Sequence, residues 1–170
     1  MRISRTSRGF TLVELLVVLV LIGGLVSLAV LGGGFAGPAR ELRSEAERLA
    51  SVIGVLAEEA VLDHREYGLR IDSDRWQVFM HDGSRWVPWE GRSAQRLPHG
   101  VEARLEIEGR PWVLAGSKPG GEAPQVLILS SGELSPFRLQ LTERRRGGLR
   151  FELSSDGFQL PRVQAGGADG

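Results

Sequence analysis

Few residues in this chain are placed to do chemistry. Its three histidines, His64, His81 and His99, are scattered, without the helical H-E-x-x-H pairing that sets two imidazoles on one face. Cysteine is absent, which excludes thiolate metal sites, disulfides and cysteine nucleophiles. Asp63-His64 and His81-Asp82 are adjacent acid–imidazole pairs, but they fall where elements are expected to end and read as loop residues rather than dyads. No G-x-S-x-G nucleophile elbow occurs. Gly32-Gly33-Gly34-Phe35-Ala36-Gly37 has the G-x-G-x-x-G spacing of a dinucleotide loop, yet it follows a long apolar run instead of a strand and precedes Pro38. The sequence therefore predicts no catalytic residue, no metal and no cofactor.

Two features remain. Arg144-Arg145-Arg146, with Arg150 after Gly147-Gly148, concentrates cations around a turn, where they can grip an anion or a partner, or simply keep a hairpin tip solvated. Overall charge is zero, with 21 basic and 21 acidic residues, so the molecule as a whole carries no bias toward nucleic acid. Trp76, Trp86, Trp89 and Trp112 are expected in the core or at an interface rather than under stacked bases. The second feature is Glu14, alone in a run from Phe10 to Leu31 that is otherwise apolar apart from Thr11, Ser27 and two glycines. A carboxylate there costs on the order of 2–3 kcal/mol if the run lies in hydrocarbon, so it needs a reason.

The context of Glu14 supplies one. Arg8-Gly9-Phe10-Thr11-Leu12-Val13-Glu14-Leu15-Leu16 resembles the prepilin peptidase motif of type IV pilins and type II secretion pseudopilins. The resemblance implies cleavage after Gly9, N-methylation of the new terminus at Phe10, and an assembly role for Glu14. Cleavage creates an ammonium one helical turn from Glu14, which can neutralise its own or a neighbouring subunit's amine. Arg2, Arg5 and Arg8 on the short leading side, with no acid, predict a cytoplasmic leader and an exported remainder.

The elements that must position these groups follow from periodicity. Residues 1–9 are the leader that the resemblance implies, while hydropathy predicts a transmembrane helix of roughly 30 Å over 10–31 and a Gly/Pro hinge over 32–39. Leu42, Ala46, Leu49, Ile53, Leu56 and Ala60 form one apolar stripe, predicting an amphipathic helix over 40–63. Short β-rich runs then predict strands at 67–72, 75–81, 85–89, 101–107, 111–115, 125–130, 137–142, 149–154 and 157–160, in an antiparallel meander folded as two sheets, with the helix against one. Residues 40–163 form the expected domain, with long loops at 91–100 and 116–124, and 164–170 a flexible tail.

This α+β layout is similar to that of the pilin-like H-type minor pseudopilins of type II secretion. Tyr67-Gly68-Leu69-Arg70-Ile71, Trp76-Gln77-Val78-Phe79 and Ser131-Gly132-Glu133-Leu134-Ser135-Pro136-Phe137 carry the likeness. It implies a subunit of the bacterial inner membrane with a periplasmic domain, assembling near the tip of a pseudopilus that exports folded proteins. The implied partners are prepilin peptidase, minor and major pseudopilins, the lipid bilayer and the secreted substrate. The alternative is a minor type IV pilin of DNA uptake, which would use the arginine cluster on DNA; charge neutrality argues against a DNA partner.

Overall fold

The computed structural model describes residues 12–33, 37–114, 123–145 and 147–166. The chain divides into two compact units, Met1–Pro38 and Ala39–Gly170.

The first unit contains α1 (Leu12–Gly33), 22 residues whose only charge is Glu14 in the first turn. Every side chain described along it, from 12 to 27, is exposed. Leucine, valine and isoleucine surround the axis, so no stripe is available to pack on one side only. Gly23 and Gly24 interrupt it without ending it, and the Ser27 hydroxyl donates to the Gly23 carbonyl at 2.8 Å, which satisfies that polar group inside the helix. Of the expected 10–31 span, side chains are described only for 12–27, and among the described residues no helix is long and apolar enough to cross a membrane.

α2 runs Gly37–Asp63, beginning inside the expected hinge, and from Ala39 on it belongs to the second unit. Pro38 falls in its first turn, where a missing N–H breaks no helical bond. The predicted stripe is fully buried, and Leu42, Leu49, Ile53 and Leu56 are each worth roughly 1.5–3 kcal/mol of burial. The opposite face carries charge, including an Arg43–Glu47 pair at 2.8 Å. The helix ends in a left-handed cap: His64 has φ 53°, and the Arg65 N–H donates to the Ala60 carbonyl at 3.2 Å.

Ten strands follow: β1 (Tyr67–Ile71), β2 (Arg75–His81), β3 (Trp86–Pro88), β4 (Gln95–Arg96), β5 (Val101–Ile107), β6 (Arg110–Trp112), β7 (Val126–Ile128), β8 (Phe137–Glu143), β9 (Arg150–Ser155) and β10 (Arg162–Gly166). They form two antiparallel sheets, β3-β2-β1-β7 with β4 also on β2, and β10-β9-β8-β5-β6. Inward side chains of both sheets and the buried stripe of α2 make one continuous core. β1 is buried on both faces, and Gly68 is required there because a Cβ would lie 2.3 Å from the Pro124 ring.

Three expectations change. The order is not a single meander: β5 and β6 go to the second sheet, β7 returns to the first, and β8 goes back. The loop at 91–100 contains β4, which pairs with Arg75 and Trp76. No strand forms at 157–160, because that segment is a turn: the Asp156 carboxylate accepts from the Phe158 and Gln159 amides at 3.0 and 2.9 Å, and the Ser155 hydroxyl donates to the Gln159 carbonyl at 2.6 Å. The strand starts only after Pro161, so pairing with β9 extends through Gly166 into the expected tail.

Candidate functional site

Glu14 sits in the first turn of α1 with its side chain exposed. A carboxylate at a helix N-terminus lies near the backbone N–H groups of the first turn and the positive end of the helix dipole. Its other partners in the motif, Arg8, Gly9 and Phe10, lie outside the described residues. What α1 presents is therefore an apolar helix carrying one acidic residue in its first turn.

The arginine cluster lies at the β8–β9 turn, where Arg145 folds back onto the end of β8. The Arg145 guanidinium donates from Nε to Glu143 Oε2 at 2.7 Å, and the same oxygen accepts from the Leu149 amide at 3.2 Å. Glu143 ends β8 at an inward position, in line with Phe137, Leu139 and Leu141, and is buried. Gly148 closes the turn because a Cβ would lie 2.5 Å from the Glu143 carbonyl oxygen. Arg144 is exposed and anchored through its amide to the Gly100 carbonyl at 2.7 Å, while Arg150 opens β9 and is partly buried. Arg146 lies outside the described residues. One of the four cations thus neutralises a buried carboxylate that the sequence reading missed. The signal for it was an acid on the inward phase of an alternating strand.

A second such acid lies in α2. Glu45 is buried and accepts from the Trp76 indole N–H at 2.7 Å, with Arg48 at 3.6 Å. Arg48 also stands 5.6 Å from the centre of the Trp76 ring and donates to the Gln95 side chain. This network fixes the rotation of α2 against β2 and β4. Trp76 is a core residue, Trp89 packs edge-on against Tyr67 at 5.7 Å, and Trp112 is half exposed. Burial is the first cause that raises the Tyr67 hydroxyl above its ordinary value, followed by the Asp63 and Glu59 carboxylates.

The paired histidines have structural duties. His64 caps α2, and His81 in β2 packs edge-on against Trp86 at 5.1 Å. Asp82 receives the Ser84 and Arg85 amides, both at 2.9 Å, which hold its carboxyl down at about 2. Among the described residues no group of three His, Asp or Glu is arranged to hold a metal ion.

A charge-bearing apolar N-terminal helix, and a unit in which an amphipathic helix shares its core with two antiparallel sheets, define a pilin-like subunit. Comparison with known proteins is specific. The family pattern described as Type II transport protein GspH matches residues 45–157, and that of the prokaryotic N-terminal methylation motif matches residues 4–31. The type II secretion system protein H of Pseudomonas aeruginosa is 58% identical over 94% of this chain and 97% of its own. That of Aeromonas hydrophila is 35% identical over 85% of each. In fold, the minor pseudopilin EpsH of Vibrio cholerae is similar with a TM-score of 0.60 at 23% identity, over 74% of this chain and 97% of its own. The solution structure of Escherichia coli GspH also gives 0.60, at 19% identity, over 78% and 94%. The chain belongs to the GspH family, the minor pseudopilins of the type II secretion system.

Proposed function

We propose that the chain is cut after Gly9, methylated at Phe10 and retained in the inner membrane by the helix that follows, with the β domain in the periplasm. Glu14 then pairs with the N-terminal ammonium of a neighbouring pseudopilin and sets the register in which helices bundle as the core of the pseudopilus. Subunits of this type sit at or near its tip, and growth of the fibre from below moves folded substrates outward. The reading rests above all on Glu14, the only charge in α1, lying within the segment that matches the methylation motif. The family is one of structural subunits, and the role proposed here requires no chemistry from the chain after processing. Arg144, exposed on the turn, is available to acidic groups of a neighbouring subunit or of the substrate. The DNA-uptake alternative gains nothing from the cluster, since Arg145 is already held by Glu143.

The test is intact mass and N-terminal sequencing of protein from membranes of cells with and without prepilin peptidase, followed by Glu14→Ala. The expected result is a peptidase-dependent, methylated Phe10 terminus. The variant should insert and be processed normally yet fail to incorporate, lowering secretion at least tenfold. Normal secretion by the variant would overturn the register role, and an intact Met1 in both strains would overturn the pilin mechanism.

A further inference from the structure

The two sheets have four edges, and among the described residues three are closed. The β3 and β4 edge consists of strands of three and two residues, and β3 contains Pro88. The β6 edge is three residues long and contains Pro111. The β7 edge is occupied: the Leu127 amide donates to the Ser135 hydroxyl at 3.0 Å, the Ser135 amide to the Leu127 carbonyl at 2.9 Å, and the Leu129 amide to the Glu133 carbonyl at 2.9 Å. Short strands, prolines and covering turns are the usual protections of sheet edges.

The fourth edge, β10, has none of them. Its five residues, Arg162-Val163-Gln164-Ala165-Gly166, contain no proline or lysine, pair in unbroken register with β9, and face no other described strand. Alternate residues of such a strand turn N–H and C=O groups away from β9. Each face also continues a row of the sheet. On the core side, Leu105, Leu139, Leu153 and Val163 are aligned across four strands, as are Ala103, Leu141, Phe151 and Ala165. On the other side, Glu106, Arg138, Ser154 and Arg162 are aligned. Arg138 in that row is answered by Glu106 at 3.4 Å and Glu152 at 3.0 Å, whereas Arg162 is exposed and forms no salt bridge with a described residue, only a more distant attraction to the Asp156 carboxylate.

We infer that β10 is a docking edge that accepts an extended segment of a partner protein as an additional strand. The segment it fits alternates apolar and polar side chains, sets apolar groups beside Val163 and Ala165, and brings an acid across from Arg162. A second copy of this chain fits less well, because its own β10 brings another arginine and no acid. The inference is independent of the N-terminal motif, so a pseudopilin defective at this edge would still be processed and anchored.

The full chain in detergent micelles is titrated with a fluorescent peptide, Thr-Val-Glu-Val-Thr-Val-Thr, while amide hydrogen exchange is followed at 162–166. Binding should slow exchange of the outward amides of β10 about tenfold or more, and a scrambled peptide of the same composition should not. Arg162→Glu should weaken the acidic peptide about three- to tenfold and favour a version with lysine in place of glutamate, with thermal unfolding unchanged. Equal binding of the scrambled peptide, unslowed β10 amides, or indifference of both peptides to Arg162→Glu would overturn the inference. So would protection of β10 that rises with protein concentration alone, which would mean self-pairing.

Discussion

α1 and α2 are both long helices, of 22 and 27 residues, yet they solve opposite problems. In α2 apolar residues recur every third or fourth position, and the stripe is buried within the same unit. In α1 they occupy every face, and all side chains described are exposed, Leu12 at 81% and Leu25 at 67%. No arrangement of one neighbour can bury a helix that is apolar all round. Burial of α1 therefore calls for an apolar surround on every side, which the inner-membrane location proposed above would supply.

The largest expected effect breaks this comparison from the α2 side. Leu49→Ala removes a fully buried side chain and should lower domain stability by about 2–5 kcal/mol, measured by urea unfolding of the full chain in micelles. Leu16→Ala or Leu19→Ala in α1 should move the same transition by less than about 0.5 kcal/mol, since those side chains are exposed. Equal effects would mean that α1 is part of the folding unit of the domain.

A smaller effect compares the two acids of the helices. Trp76→Phe keeps most of the ring but leaves the buried Glu45 carboxylate without its indole donor, and should cost about 1–3 kcal/mol. The matching change at Glu14 should leave domain unfolding untouched and act only on assembly. If Trp76→Phe is neutral, the Glu45 contact does not hold α2 in place.

Much of this was legible in advance, for reasons that vary by residue. Arg75–His81 and Val101–Ile107 were readable as strands because turn residues bound them tightly. The stripe from Leu42 to Ala60 was readable because helical period persists over many turns. The start of α2 at Gly37 was not, because glycine and proline read as breakers unless their place in a first turn is known. The crossing of β7 between sheets was hidden because period two identifies a strand but not its neighbour. Residues 157–160 were read as a strand, but the Asp156 side chain bonds onward and holds a turn through Gln159. At the site, the types and spacing of Gly9, Phe10 and Glu14 were enough to propose a processing motif. The pairing of Arg145 with Glu143 was not visible, since charge clustering does not reveal which cation folds back on an inward acid.

The smallest expected effect concerns the turns that close the strands. The Asp82 carboxylate accepts the Ser84 and Arg85 amides and the Ser84 hydroxyl, and is held down from 3.8 to about 2. A carboxyl held lower in the folded chain than in the unfolded one stabilises the fold above its ordinary range. That contribution is lost as pH falls through about 2, because protonation removes the acceptor. The β2–β3 turn should therefore keep its amide protection at pH 4 and lose it near pH 2. NMR titration of the Asp82 carboxyl should show a midpoint near the lower value, and Asp82→Ala should abolish the local change. Asp156 is also lowered, first by the Gln159 amide and then by that of Phe158, so the β9–β10 turn should respond in the same direction. α1 offers the contrast beyond its first turn: from Leu15 to Gly33 it carries no ionisable side chain, so amide protection there should be unchanged over this range. Loss of α1 protection in step with these turns would show that the two units unfold together.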